Sequence, residues 1–201
     1  MFTLYAANMK RICVFCGSST GARPSYARTA VKLGKILANR KIGLVYGGGN
    51  VGLMGLIADS VLEHGGDVVG VIPRFLVHKE VAHQHLKDLR IVESMHERKA
   101  LMADLSDGFI AMPGGYGTLE EFCEIVTWAQ LQLHPKPCGL LNVEGFYDKL
   151  LEFMDRAVAD DFLKASNRKL IRCSAEPDEL LDMILAAPVA VEQKWVSRDP
   201  R

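Results

Sequence analysis

Short apolar runs that stop at a glycine turn, each followed by a longer segment of helical period, recur along the chain, and this alternation limits the fold more than any other feature. Continuous apolar runs suit strands covered on both faces, and parallel neighbours need a crossover between them. The pattern predicts an α/β protein with a Rossmann-like, doubly wound parallel sheet and helices on both faces. Strands are expected over residues 12–16, 42–46, 67–72, 89–93, 108–112, 138–142 and 170–173, and helices after Pro24 and over 53–63, 95–105, 118–133, 146–159 and 177–185. The polar stretch 74–88, with Glu80, His83 and His85, interrupts this rhythm and reads as a surface loop or short helix over the sheet edge, where loops often touch ligand. No fixed-period repeat occurs, and residues from Pro188 onward read as a tail. A single domain over 1–201 with its core at about 11–185 is expected.

Composition removes several functions. Lysine plus arginine balance aspartate plus glutamate at 24 each, so no global field would draw the chain to a nucleic acid polymer or an anionic membrane. Any anion site must be local. No segment reaches the ~18 uninterrupted apolar residues of a membrane span, and residues 1–8 are too short for a secretory signal. The cysteines are odd in number, five, and lie mostly in apolar stretches, which fits a reducing compartment and an expected cytoplasmic location. Cys13 and Cys16 form a C-x-x-C, but Val14 and Phe15 make it strand and the second pair of a zinc site is missing, so no metal is expected.

In an open parallel sheet, ligands bind beyond the carboxyl ends of the strands, where helix N-termini favour anions. Gly17-Ser18-Ser19, Gly47-Gly48-Gly49 and Pro113-Gly114-Gly115-Tyr116-Gly117-Thr118 all fall at that edge. The second turn formally completes G-x-G-x-x-G at Gly52, but the acid that should grip a dinucleotide ribose is misplaced: Asp67 begins the next strand, whose end offers Pro73 and Arg74. No G-x-x-x-x-G-K-[ST] occurs, so nucleoside triphosphate hydrolysis has no support. The third turn is sharper, because its glycines let backbone N–H groups approach a phosphate and Thr118 adds a hydroxyl donor. Glu121 would repel that phosphate unless it faced another part of the ligand, such as a ribose anomeric carbon. The same Thr118-x-x-Glu121 spacing also reads as a capping box. Ser94 and Glu97 fit a second box, after which Arg98 and Lys99 stand in a first helical turn, where cations oppose the dipole unless an anion or carboxylate pairs with them.

Together, Met95-His96-Glu97-Arg98-Lys99 and Pro113-Gly114-Gly115-Tyr116-Gly117-Thr118-Leu119-Glu120-Glu121 resemble the paired signature of the Lonely Guy (LOG) family, whose second block is P-G-G-x-G-T-x-x-E. The likeness extends through Cys16 to Ser19, Tyr46 to Gly49, Gly52 to Gly55, Thr127 to Gln130 and Leu140 to Asn142. The resemblance implies a homodimeric hydrolase, with no cofactor, that splits an N6-modified adenosine 5′-monophosphate into free base and ribose 5-phosphate; AMP itself is a second candidate substrate. It implies Arg98 and Glu121 as the catalytic pair and Lys99, Gly114, Gly115, Gly117 and Thr118 as the phosphate and ribose cradle. Gly17, Ser18, Gly48, Gly49, Glu80, Glu120 and Thr127 are carried over to substrate binding.

On that footing the reaction runs through an oxocarbenium-like ribosyl state, with Glu121 stabilising charge at C1′ and positioning or deprotonating water, and Arg98 holding Glu121 or the phosphate. Adenine leaves protonated on its ring, so Glu120 is not assigned as a partner acid. Proteins of this family have often been labelled lysine decarboxylases, yet neither a Schiff-base lysine nor a pyridinium partner is identifiable. The competing reading is a molybdenum cofactor carrier of the same fold, which binds a phosphorylated pterin without chemistry. Helix 118–133 is a candidate dimer interface, because Phe122, Ile125, Val126, Trp128, Ala129 and Leu133 spread over more than one face.

Overall fold

The computed structural model describes residues 9–77 and 82–186. Its strands are β1 (Arg11–Phe15), β2 (Gly43–Tyr46), β3 (Val68–Pro73), β4 (Asp88–Val92), β5 (Gly108–Ala111), β6 (Cys138–Leu141) and β7 (Ile171–Ser174). They form one sheet in the order β4-β3-β2-β1-β5-β6-β7, every pair parallel. The chain winds outward from β1 to β4, returns to place β5 beside β1, and winds outward again.

Both faces of the central strands are covered, which is why β2, β3, β5 and β6 read as nearly unbroken apolar runs, while the edge strands β4 and β7 carry charged residues and are only partly buried. Ile12, Val14, Leu44 and Tyr46 point into one core, closed by α1 (Pro24–Asn39), α2 (Gly52–Glu63) and α7 (Pro177–Ala186). Cys13, Phe15, Val45 and Phe109 point into the other, closed by α3 (Met95–Asp104) and α4 (Tyr116–Gln130). Cys13 and Cys16 thus belong to cores on opposite faces and cannot act as a chelating pair. Helix α5 (Asp148–Ala159) is different: strongly amphipathic, it has no fully buried residue, and Phe153 stands exposed beside half-buried Leu150 and Met154.

Several expected boundaries move. The helix expected from residue 118 starts at Tyr116 and ends at Gln130, and it turns Phe122, Ile125 and Ala129 into the chain's own core, so they are not available to a partner. The helix expected from 146 starts at Asp148, after a 3-10 turn at Val143–Gly145. The short helix α6 (Ala165–Arg168) has no counterpart in the sequence pattern. Of the stretch 74–88, Arg74–Leu76 forms a 3-10 turn and Ala82 pairs with Gly49. Residues 78–81, Glu80 among them, lie outside the described residues, as does the expected tail. Among the described residues no helix is long and apolar enough to cross a membrane.

Candidate active site

Strand order reverses between β1 and β5, so the loops leaving them diverge and open a crevice at their carboxyl ends. Backbone bonds fix its floor: Met112 N–H donates to Phe15 O (2.9 Å), Gly17 N–H to Pro113 O (3.1 Å) and Leu53 N–H to Gly17 O (3.0 Å). Above it lies a cavity of about 300 Å³ whose wall includes Gly17, Ser18, Gly47, Met54, Met95, Arg98, Gly115, Gly117, Thr118, Glu120 and Glu121. A second, more apolar hollow of about 330 Å³ adjoins it across Gly17, Ser18 and Gly115, with Tyr26, Leu53, Gly114 and Phe146 in its wall.

One wall is the N-terminus of α4. Its N-cap is Gly115, which brings no capping side chain, and its first turn holds no acid, so the helix dipole and the first N–H groups are left to an external anion. The Thr118 to Glu121 capping box does not form, because the helix has already begun at Tyr116. The second box forms in part: Ser94 Oγ accepts from Glu97 N–H (3.1 Å), while the Glu97 carboxylate accepts from the N–H of Glu93, one residue before the N-cap (2.9 Å). Glycines in these turns answer to different causes. A Cβ on Gly114 would fall 2.1 Å from Thr118 Oγ1, and one on Gly47 would fall 2.0 Å from Arg98 Nη2. On Gly115 or Gly117 it would meet nothing within 4 Å. The protein's own packing requires the first two glycines and leaves the other two beside open space.

Charge lies beside that N-terminus, from Glu121 further along α4 and Arg98 on α3. Arg98 and Glu121 are both buried, with Arg98 Nη2 3.9 Å from Glu121 Oε1. The same Nη2 donates to Gly47 O (3.3 Å), while Arg98 Nε is buried without a hydrogen-bond partner. The thiols of Cys13 and Cys16 are held well above their usual pKa by burial and then by the Glu121 charge, which keeps them protonated.

The other sequence candidates divide. Gly17, Ser18, Gly115, Gly117, Thr118 and Glu120 meet at the main cavity, and Gly114 at the adjoining hollow. Lys99 lines neither: its ammonium is buried against Glu120 Oε1 and against Glu124 Oε2 at 3.0 Å, which pins α3 to α4. Burial works against that charge, but the two carboxylates outweigh it and raise the lysine's pKa. A Schiff-base lysine needs the opposite shift, towards the neutral amine. Thr127 is exposed far along α4, where its hydroxyl donates to Cys123 O (2.7 Å). Gly48 and Gly49 do not line the cavity, and Gly48 sits at φ +76°. Gly47, whose carbonyl orients Arg98, and Met54 were not read from the sequence; a triple glycine does not disclose which member meets a distant side chain.

Three comparisons bear on this geometry. A family model described as "Possible lysine decarboxylase" matches residues 54–184. A rice (Oryza sativa subsp. japonica) relative named "Probable cytokinin riboside 5′-monophosphate phosphoribohydrolase" is 54% identical over 178 residues, covering 89% of this chain and 78% of its own. A cytokinin riboside 5′-monophosphate phosphoribohydrolase of Arabidopsis thaliana is 51% identical over 175 residues, covering 87% of this chain and 81% of its own. Among solved structures, a molybdenum cofactor binding protein of Rippkaea orientalis superposes with a TM-score of 0.67 at 22% identity over 88% of this chain and 96% of its own. The Moco carrier protein of Chlamydomonas reinhardtii gives 0.66 at 20% identity, over 89% and 99%. At such identities these structures share the fold alone. Identity above one half, sustained over nearly nine-tenths of the chain, places it in the LOG family of cytokinin riboside 5′-monophosphate phosphoribohydrolases.

Proposed function

We propose that this chain hydrolyses the N-glycosidic bond of N6-modified adenosine 5′-monophosphates, releasing the free cytokinin base and ribose 5-phosphate, with AMP as a further substrate. One observation carries the reading: a buried Arg98–Glu121 pair and an uncapped helix N-terminus, whose Gly115 and Gly117 leave room for a ligand, line the same cavity. The phosphate takes the N-terminus of α4 and the Thr118 hydroxyl. The ribose is thereby anchored within reach of the carboxylate, and positive charge that develops at C1′ is stabilised by Glu121. The bond from C1′ to the base breaks, its electron pair leaves with the purine, and the purine takes up a proton from solvent on its ring. Water adds to C1′ and gives its proton to Glu121, which returns it to solvent, so the protons balance. Arg98 acts through Glu121, holding the carboxylate in place from 3.9 Å.

Lys99 serves this site as a strut, holding Glu120 at the cavity rim rather than touching phosphate. The working form is a homodimer. A carrier that only binds would gain nothing from a buried carboxylate beside the anion site, since that charge weakens anion binding. The test is release of free base from AMP and from isopentenyladenosine monophosphate, with the unphosphorylated ribosides as controls. Base and ribose 5-phosphate are expected in equal amounts from the monophosphates, and far slower release from the ribosides; equal rates from both would remove the phosphate anchor from the account.

A further inference from the structure

Behind the cavity wall lies a buried titratable side chain that touches no part of the cavity: His83. Its ring is fully buried, with Nε2 2.9 Å from Oδ1 of Asp59, a half-exposed residue on α2. The other ring nitrogen, Nδ1, is buried without a hydrogen-bond partner. An unsatisfied buried nitrogen is a cost that a leucine in the same volume would not carry, so packing alone does not call for an imidazole here.

The ring's backbone gives the reason. His83 N–H donates to Gly48 O (3.0 Å), and Ala82 forms an antiparallel bridge with Gly49. On the other side of the same turn, Gly47 O accepts from Arg98 Nη2 (3.3 Å). The turn has little slack: Gly48 sits at φ +76°, and a Cβ on it would lie 3.1 Å from Ile72 Cβ and 3.3 Å from Val71 N. A displacement of the 82–83 segment would therefore pass through the turn to the guanidinium.

We propose that His83 is a positioning residue for Arg98: anchored by Asp59, it holds the Gly47–Gly49 turn, whose Gly47 carbonyl sets the guanidinium opposite Glu121. This rests on the phosphoribohydrolase reading of the cavity. Asp59→Ala breaks the anchor from the surface, without hollowing the core, and His83→Leu breaks it from within. Both are expected to lower kcat on AMP by about 10-fold or more while KM moves less than about threefold, because misplacing a catalytic group acts on the transition state. His83→Gln, whose amide can still donate to Asp59, is expected to recover most of the loss. The deciding measurement is a double-mutant cycle with Arg98→Ala: the Asp59→Ala change should add nothing once Arg98 is gone. Additive losses, or a His83→Gln variant no better than His83→Leu, would overturn the proposal. If the wild type releases no base at all, the phosphoribohydrolase reading fails, and the same cycle is then read on AMP affinity by calorimetry, where additivity again overturns the clamp.

Discussion

Gly114 and Gly115 are neighbours in one turn under opposite constraints. Gly114 is pressed against Thr118, so Gly114→Ala overpacks the turn and should cost about 1–3 kcal/mol of stability. Gly115 faces open space at an ordinary φ of −96°, so Gly115→Ala should melt within a degree or two of the wild type yet bind AMP more weakly, by about tenfold, because its methyl stands where the phosphate would lie. Calorimetric melting and AMP titration of the two variants check this; a Gly115→Ala protein that binds normally would remove the anion from this turn. Much at this scale was legible from the sequence, since a phosphate turn must be built from glycine and hydroxyl residues and the carboxylates of Glu120 and Glu121 just after it are conspicuous. What was not legible is which charge meets which. Lys99 and Arg98 are adjacent in sequence, but one helical step turns them to different neighbours, Glu120 and Glu124 for the first and Gly47 and Glu121 for the second. Spacing within one helix does not report the partners on another.

At the scale of elements, α3 and α4 form the working unit, and Lys99 is its fastening. Lys99→Met keeps the length of the side chain and removes the charge, leaving Glu120 and Glu124 facing an apolar group; a loss of about 1–3 kcal/mol is expected. The sign of its pH dependence follows from the raised pKa of the folded lysine. Its contribution is full below the unfolded value of about 10.4 and is lost as pH rises through the higher folded value. The gap in melting temperature between wild type and Lys99→Met should therefore hold steady from neutral pH to about 10 and narrow above it; a gap that narrows between pH 6 and pH 9 would assign the effect to other groups. The start of α4 was misread because two glycines and a threonine look like loop and cap. The helix starts earlier because Gly115 serves as its N-cap and Gly117 is accepted inside the first turn, at a propensity cost that is small beside the rest of the helix.

At the scale of the whole molecule, the doubly wound sheet was legible because strands buried on both faces leave a sequence signature that amphipathic strands do not, and the crossovers need helices of predictable length. The partner surface was not legible in the same way: apolar residues on α4 that looked spare belong to the chain's own core, while Leu131 and Leu133 beyond its end and Phe153 on α5 remain exposed. Light scattering should return twice the 22.2 kDa chain mass; a monomer that still turns over would show the site to be complete without a partner. All three scales converge on Glu121. The measurement to make is AMP hydrolysis and AMP affinity, side by side, for wild type and Glu121→Gln. Turnover should fall by about 100-fold or more while affinity holds or rises, since the lost charge stabilised the transition state and repelled the phosphate. Equal losses in both, or turnover that survives, would contradict a carboxylate acting at the anomeric carbon.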